Sequence, residues 1–310
     1  MTCPADLPGV FASLVASGQV PSIAYAIVAD SDVTVDAVGP AAVDSLFEIG
    51  SVTKAFTGLL LADLVSGGTV RLADRAGSYL PGDVDSPVTL LQLATHTSGL
   101  PRLPPGFLPR ALLHPGDPYA GYRESRLLRA ARRSLSAAAG AAGSAPYSYS
   151  NFGYGLLGYL LGHAAGEPYQ ALVADRLTGP LGLTSTTFGG QPVQGTKRGR
   201  PVSPWRLGAL SGCGGLRSTA ADMASLLVAC LEPSSVFSLS FEPRAVIGPD
   251  ASIGLGWHHK RGVIWHNGMT GGFSAMVAFN PSRRLGIAAL TNAAGQPPSP
   301  IERPIMDALF

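Results

Sequence analysis

Residues 46–57 read LFEIGSVTKAFT, and the pattern of apolar residues changes from strand-like to helix-like halfway along the segment. The apolar run at residues 46–49 is typical of a short strand. Gly50 and Ser51 interrupt that run, and apolar residues then recur at helical spacing until Gly67-Gly68, where a helix would end. The segment therefore predicts a strand that leads directly into a long buried helix, with Ser51 at the helix N-terminus.

Strand-like segments cluster near both ends of the chain, and helix-like segments lie between them. β-Branched or alternating residues predict strands at 22–29, 33–38, 263–266, 274–279 and 285–291. Helical spacing predicts helices at 7–17, 119–142, 151–165, 169–177, 219–230 and 301–310. This order predicts an α+β fold, with residues 1–70 and 205–310 forming a sheet domain and residues 71–204 a mainly helical inserted domain. The cleft between the two is the expected active site.

The composition narrows the class of protein. The chain has 310 residues, of which 46% are apolar and 14% charged, so it is expected to be globular. With 22 basic and 20 acidic residues the net charge is only +2, which favours neither nucleic acid nor a membrane surface as a partner. No apolar run is long enough to predict a bilayer span. No Lys or Arg precedes Lys54, so no secretory signal is indicated and a cytoplasmic location is expected.

Cysteine and histidine do not form metal-binding patterns in the sequence. The three cysteines, Cys3, Cys213 and Cys230, are widely spaced and odd in number, which predicts neither a zinc site nor a disulfide framework. The six histidines form no HExxH-like motif. We therefore expect no metal and no organic cofactor.

Ser51-Val52-Thr53-Lys54 is the first candidate for chemistry, since the chain has only three lysines. Residues i and i+3 share a helix face, so the Lys54 amine can reach the Ser51 hydroxyl. A serine nucleophile needs a neighbouring base, and a lysine can serve when burial disfavours its charged form. Free N–H groups at the helix N-terminus favour developing negative charge. The alternative is a capping serine beside a solvated lysine.

Two further elements carry candidate residues. Tyr149-Ser150-Asn151 precedes a predicted helix, and a phenol can shuttle protons while an amide can bind a substrate. His266-Asn267-Gly268 lies on a predicted strand, where a glycine permits close approach of a ligand or backbone. Alone, the first is compatible with a polar helix entry and the second with a structural histidine.

Together these elements resemble the serine β-lactamase-like and penicillin-binding-protein superfamily. The similarity is to the branch of class C β-lactamases, D-Ala carboxypeptidases and family VIII carboxylesterases. It is carried by residues 47–57, 93–101, 149–154, 214–223 and 266–273, which read FEIGSVTKAFT, LATHTSGLP, YSNFGY, GGLRSTAADM and HNGMTGGF. The resemblance implies a β-lactamase/transpeptidase-like fold, an antiparallel sheet flanked by helices with the active site beside an inserted helical domain.

The resemblance also implies catalytic roles. Ser51 is expected to be the nucleophile that forms an acyl-enzyme, and Lys54 its general base or proton relay. Tyr149 is expected to be the partner base and the acid for the leaving group. The backbone N–H groups of Ser51 and Met269 are expected to form the oxyanion hole.

Substrate-binding roles follow from the same resemblance. Asn151 is expected to orient the substrate amide and Lys54. His266, Asn267 and Gly268 stand where β-lactamases carry Lys-Thr-Gly, whose lysine recognises a carboxylate. Histidine is a marginal cation at pH 7, so carboxylate binding is weakened in this chain unless Arg217 or the basic loop at residues 197–200 compensates.

Four functions remain open from the sequence. The first is a serine hydrolase acting on a small-molecule ester or amide through an acyl-serine. The second is a biosynthetic transacylase that passes the acyl group to an amine or alcohol. The third is a D-Ala peptidase or β-lactamase, and the fourth is a catalytically inactive binding module. The sequence gives no indication of the oligomeric state, the acyl group or the leaving group.

Overall fold

The computed structural model describes residues 6–138, 145–232, 237–295 and 298–310. Cys3 lies outside these residues. The helices of the described ranges are α1 (Leu7–Ala16), α2 (Thr53–Ser66), α3 (Leu90–Ala94), α4 (Phe107–Leu113), α5 (Glu124–Ala137), α6 (Asn151–Ala165), α7 (Tyr169–Val173), α8 (Ala220–Leu231), α9 (Ser238–Phe241) and α10 (Glu302–Leu309). No helix in these ranges has both the length and the apolar character needed to cross a bilayer.

The strands combine both ends of the chain into one sheet. They are β1 (Ile23–Ala29), β2 (Asp32–Val38), β3 (Phe47–Glu48), β4 (Gly195–Lys197), β5 (Arg200–Val202), β6 (Arg217–Ser218), β7 (Ala245–Gly248), β8 (Ala251–Ile253), β9 (His258–Lys260), β10 (Val263–Met269), β11 (Ser274–Asn280), β12 (Leu285–Thr291) and β13 (Ala293–Ala294). Eight strands form an antiparallel sheet in the order β2-β1-β12-β11-β10-β9-β8-β7. The antiparallel sheet flanked by helices that the sequence predicts is thus present.

The sheet separates two hydrophobic cores. On its outer face, α1 and α10 cover the central strands, and Phe11 of α1 packs on Tyr25 of β1 with ring centroids 5.1 Å apart. On its inner face lie α2, α6 and α8, which share the larger core. Because side chains alternate along each strand, neighbouring residues of the central strands contribute to different cores.

Helix α2 is the buried helix that residues 46–57 predict. A 3₁₀ turn at Gly50–Val52 leads from β3 into it, and its residues are buried on every side over the first three turns. Helix α6 also lies in the core and begins where predicted, with the Ser150 hydroxyl accepting from the Gly153 N–H at 2.8 Å. The two helix N-termini therefore present Ser51 and Asn151 from the interior of the protein.

Short elements account for the differences from the sequence prediction. The basic loop at residues 197–200 belongs to a hairpin that the sequence did not predict, formed by β4 and β5 and turned by Arg198 and Gly199 at positive φ. That hairpin lies within the range predicted for the inserted domain, yet β4 pairs with β13 near the C-terminus. The sequence also predicted neither α4 nor β7–β9. Strands of three or four residues are too short to show a period.

Candidate active site

Ser51 and Lys54 meet as their spacing predicts. The Lys54 Nζ atom donates to Ser51 Oγ at 3.0 Å and to the carbonyl oxygen of Cys213 at 2.5 Å. The Lys54 side chain is fully buried, whereas Ser51 is half-buried and open on one side. The protein therefore holds an amine directly against a hydroxyl in a water-poor environment, the arrangement that nucleophile activation requires.

Tyr149 completes this group from a distant part of the chain. Its ring centroid lies 4.8 Å from Lys54 Nζ and 5.2 Å from the Arg102 guanidinium carbon. Both distances are within the range of a cation–π contact. Tyr149 is half-buried, and its ring is in contact with both cations.

His96 fixes the backbone on which Tyr149 and Asn151 are mounted. Its Nδ1 accepts the Ser150 N–H at 3.0 Å, and its carbonyl oxygen accepts the Ser148 N–H at 2.9 Å. The rings of His96 and Tyr149 are 4.6 Å apart. Burial lowers the pKa of His96 well below its usual range, and Lys54 acts in the same direction. A neutral imidazole is what acceptance at Nδ1 requires.

Asn151 lies at the first position of α6. Its Nδ2 donates to the Tyr119 hydroxyl at 3.3 Å, and its buried Oδ1 has no partner within the described residues. Burial raises the pKa of Tyr119, which stays a neutral phenol. The structure thus brings Asn151 to the site, and its hydrogen bond goes to Tyr119 and not to Lys54. The unpaired amide oxygen is therefore an unsatisfied buried acceptor at the site.

His266 reaches the site from β10 as a neutral side chain. It is 1% exposed, and burial lowers its pKa well below the usual range, with further lowering by His258 and Lys54. Its Nδ1 lies 2.6 Å from the Asn267 carbonyl oxygen, which can only accept, so Nδ1 carries the proton. The buried Nε2 has no partner within the described ranges and is an acceptor. His266 therefore offers a lone pair and not a cation.

The side chain of Asn267 does not lie in the substrate site, where it was expected. The Asn267 Nδ2 donates to Glu302 Oε1 of α10 at 3.1 Å, so the side chain lies on the outer face of the sheet. The expectation that Asn267 binds substrate is corrected by this contact. The physical reason is the alternation of side chains along β10, which directs Asn267 away from the face that carries His266 and Gly268.

Two glycines allow the end of β10 to touch the turn that carries Ser51. A Cβ at Gly268 would lie 2.0 Å from the Ile49 carbonyl oxygen and 3.0 Å from the Ser51 nitrogen. A Cβ at Gly50, which has φ of +50°, would lie 2.8 Å from the Met269 nitrogen. Only glycine fits such backbone contact. It sets the end of β10 at Met269 against the turn that carries Ser51, whose N–H group lies at the start of a helical turn, where N–H groups lack intrahelical partners.

Neither Arg217 nor the basic loop at residues 197–200 takes the place of the lysine in the Lys-Thr-Gly motif. Arg217 Nη2 is 3.4 Å from Glu48 Oε1, and its Nη1 donates to the Gly190 carbonyl oxygen, so its nearly buried side chain is structural. Burial raises the pKa of Glu48 even beside this arginine. The basic loop is the exposed turn between β4 and β5. Neither compensates for the uncharged His266.

Several contributors were not identified from sequence. Arg102 and His96 contact the Tyr149 ring, and His258 contacts the His266 ring. The main-chain carbonyl of Cys213 binds Lys54. A carbonyl leaves no sequence signal, and Arg102 stands in a loop without a periodic pattern. His96 lies within one of the motifs that carry the resemblance, which is the only available signal. Among the described residues, no three metal-binding side chains are grouped as ligands.

The chain is similar to known proteins over most of its length. A family model described as "Beta-lactamase" matches residues 7–309. The D-alanyl-D-alanine-carboxypeptidase/endopeptidase AmpH of Escherichia coli (strain K12) is 31% identical over 277 residues, covering 78% of this chain and 70% of that protein. A beta-lactamase of Pseudomonas fluorescens is 26% identical, covering 93% of this chain and 89% of that protein.

Solved structures give the same fold. The octameric penicillin-binding protein homologue from Pyrococcus abyssi has a TM-score of 0.81 at 24% identity and covers 96% of this chain and 76% of its own. The class C beta lactamase from Rhodobacter sphaeroides has a TM-score of 0.80 at 22% identity, covering 97% of both chains. These likenesses confirm the β-lactamase/transpeptidase-like fold. Since the family model spans nearly the entire sequence, the chain belongs to the beta-lactamase family of serine hydrolases.

Proposed function

We propose that this protein cleaves uncharged esters or amides through an acyl-enzyme formed at Ser51. The observation that carries the proposal is the 3.0 Å hydrogen bond between the buried Lys54 Nζ and Ser51 Oγ. A capping serine with a solvated lysine would leave the amine in water, yet the Lys54 side chain is fully buried. Burying an amine is unfavourable, so its position beside a hydroxyl indicates a chemical role.

The geometry supports a two-step mechanism. The Ser51 oxygen attacks the substrate carbonyl carbon while the Lys54–Tyr149 pair takes the Ser51 proton. The Ser51 and Met269 N–H groups donate to the oxygen that becomes negative in the tetrahedral intermediate. That intermediate collapses by breaking the bond to the leaving group, which accepts a proton from the same pair. An acyl-serine remains. A second nucleophile attacks its carbonyl carbon and gives its own proton to the Lys54–Tyr149 pair, and the bond to Ser51 breaks as that proton passes to the Ser51 oxygen.

The charge of the site supports the substrate class. A buried cation at position 266 would favour a substrate carboxylate, whereas the neutral His266 presents a single acceptor. An acceptor suits a substrate N–H or O–H group. The unpaired Asn151 Oδ1 is a second acceptor. These two acceptors favour a substrate that carries hydrogen-bond donors, and position 266 supplies no cation to attract a substrate carboxylate.

The fate of the acyl group separates hydrolysis from transfer. Water as the second nucleophile makes the protein a hydrolase, and an amine or alcohol makes it a transacylase. Both share every step up to the acyl-serine. Adding an amine or alcohol to an assay and comparing acylated product with free acid distinguishes the two.

A second candidate function comes from the relatives. The D-alanyl-D-alanine-carboxypeptidase/endopeptidase AmpH is 31% identical to this chain, which favours peptides ending in D-alanine, and the beta-lactamase relatives favour β-lactams. Both substrate types carry a carboxylate. The uncharged His266 argues against tight binding of that group, so we rank this candidate below the ester or amide.

Intact-protein mass spectrometry tests the proposal directly. The wild-type protein and Ser51→Ala are each incubated with a short-chain activated ester and, separately, with a penicillin. We expect a transient acyl adduct from the ester in the wild type only. A long-lived penicillin adduct would favour the second candidate. No adduct from either reagent, or an equal adduct on Ser51→Ala, would contradict catalysis at Ser51 and favour an inactive binding module.

A further inference from the structure

A second cavity lies at the other end of α6 from the catalytic residues. It has a volume of about 790 Å³ and is lined by the C-terminal half of α6, the start of α7, the start of α5 and the 3₁₀ helix Gly208–Cys213. Ligand sites in proteins commonly have volumes of about 300–1,000 Å³. None of the candidate catalytic residues lines this cavity.

The walls combine buried aromatic rings with an acidic rim. Tyr122 and Tyr169 are buried, and the half-buried Tyr159 is stacked with His163 at an interplanar angle of 9°. At the mouth, Glu124 and Glu167 supply two carboxylates against the single guanidinium of Arg123. The Tyr159 hydroxyl donates to Glu124 Oε1 at 3.2 Å, which places a ring edge beside a negative charge.

This combination suits an organic cation. Aromatic faces attract an ammonium group, and the attraction increases when the group is partly desolvated. Carboxylates at the rim favour positive over negative ligands. The apolar interior would accept an alkyl or aromatic body. Among the residues that line the cavity, a simple anion would meet one guanidinium, that of Arg123, and two carboxylates.

The cavity wall is connected to the catalytic lysine by hydrogen bonds. The Tyr169 hydroxyl lies 2.7 Å from Thr57 Oγ1, and Thr57 Oγ1 donates to the Gly212 carbonyl oxygen at 2.7 Å. The next carbonyl, that of Cys213, accepts from Lys54 Nζ. Since Thr57 has one hydroxyl proton, Tyr169 must be the donor to Thr57. Two lining residues, Tyr169 and Gly212, are thus one contact from the segment that holds Lys54.

Close packing makes this connection stiff. A Cβ at Gly158 of α6 would lie 3.0 Å from the Cα of Gly212, so the 3₁₀ helix rests directly on the α6 backbone. A ligand that shifts Gly212 therefore also shifts the neighbouring Cys213 carbonyl, because tightly packed backbone transmits displacement. The occupant of the cavity can in this way change the position of Lys54 relative to Ser51.

We propose that this cavity is a regulatory site for an organic ammonium ligand, and that its occupancy changes the rate at which Ser51 is acylated. Binding of the ammonium compound does not depend on the proposed function. Only the effect on acylation rests on it, and the two are measured separately.

The probe is benzyltrimethylammonium, with benzyl alcohol and benzenesulfonate as neutral and anionic compounds of similar body. Calorimetry on Ser51→Ala measures binding without turnover. We expect the cation to bind at least about tenfold more tightly than either comparison compound, because only the cation can interact with both the aromatic faces and the carboxylates. The double variant Glu124→Gln/Glu167→Gln should weaken cation binding roughly tenfold. Glu242→Gln, a glutamate that does not line the cavity, should leave it unchanged.

The effect on acylation is measured on the wild-type protein by the rate of adduct formation from the activated ester. We expect the saturating cation to change that rate at least about twofold, and the double variant to lose the response. Equal binding of all three compounds, or cation binding that the double variant retains, would overturn the site. Cation binding with an unchanged acylation rate would overturn its connection to Lys54. Loss of acylation in every sample, with cation binding intact, would contradict the proposed function and not the site.

Discussion

The two faces of the central sheet differ in how they use their residues. The outer face, beneath α1 and α10, buries aliphatic side chains and the Phe11–Tyr25 pair. The inner face buries Lys54, His96 and His266 among apolar side chains. Burial of polar groups opposes folding, whereas burial of apolar area favours it. The comparison teaches that the outer face contributes mainly stability, and that the inner face gives up stability to hold reactive groups.

Removing the buried amine should give the largest effect. Lys54→Met keeps the length of the side chain and deletes the charge. We expect kcat for ester cleavage to fall by about three orders of magnitude or more, since the Ser51 hydroxyl loses its neighbouring base. The free energy of unfolding should stay unchanged or rise, because a buried polar amine is replaced by an apolar group.

Lys260→Met is the matched control, because Lys260 is an exposed lysine of β9. It should change neither kcat nor the urea midpoint. Full activity of Lys54→Met, or its unfolding together with normal activity in the remaining folded fraction, would show that the inner face is not organised around this amine.

A substitution on the outer face should have the opposite effect, lowering stability and leaving kcat nearly unchanged. Phe11 is fully buried, and Phe11→Ala should lower the free energy of unfolding by about 4 kcal/mol through lost burial and a cavity. The kcat of the folded protein should stay within about twofold of the wild type. Urea denaturation and active-site titration check the two quantities. Val10→Ala, at the exposed neighbouring position, should change stability by less than about 0.5 kcal/mol.

The buried histidines His96, His258 and His266 should make stability depend on pH. Burial lowers the pKa of His258 to about 4, while an unfolded histidine titrates near 6.5. Below pH 6.5 the unfolded chain binds a proton that the folded protein excludes, so stability falls as the pH drops from 6.5 towards 4. His258 alone should account for about 3 kcal/mol of that loss. Denaturation of wild type and His258→Gln across this range measures the difference in slope, and parallel curves would refute the assignment.

The smallest effect should come from Asn267. If its amide serves only the contact to Glu302, Asn267→Ala should lower stability by about 1 kcal/mol and leave kcat and KM for the ester unchanged. The corresponding change at Asn151, Asn151→Ala, should alter KM or kcat. A raised KM in Asn267→Ala would show that Asn267 contributes to substrate binding, and would contradict its assignment to the outer face.

The sequence by itself determined most of the longer helices and strands, and also the contact between Ser51 and Lys54. Residues 46–57 predicted both the strand–helix transition and the Ser51–Lys54 contact, because a spacing of three in a helix is a local property. The strands of the central hairpins and the cap of α6 were also predictable, since periodicity and capping act over a few residues. The order of the quoted motifs was sufficient for the family resemblance.

Only the tertiary structure decided which groups surround Ser51 and Lys54. It placed Tyr149 and Arg102 beside Lys54, and it directed a main-chain carbonyl at Cys213 to the amine. It also withdrew Asn267 to the outer face. These contacts join residues far apart in the chain, and their geometry depends on how helices and sheet pack together. Local propensity carries no information on that packing, because the free energy that selects it is summed over the entire core.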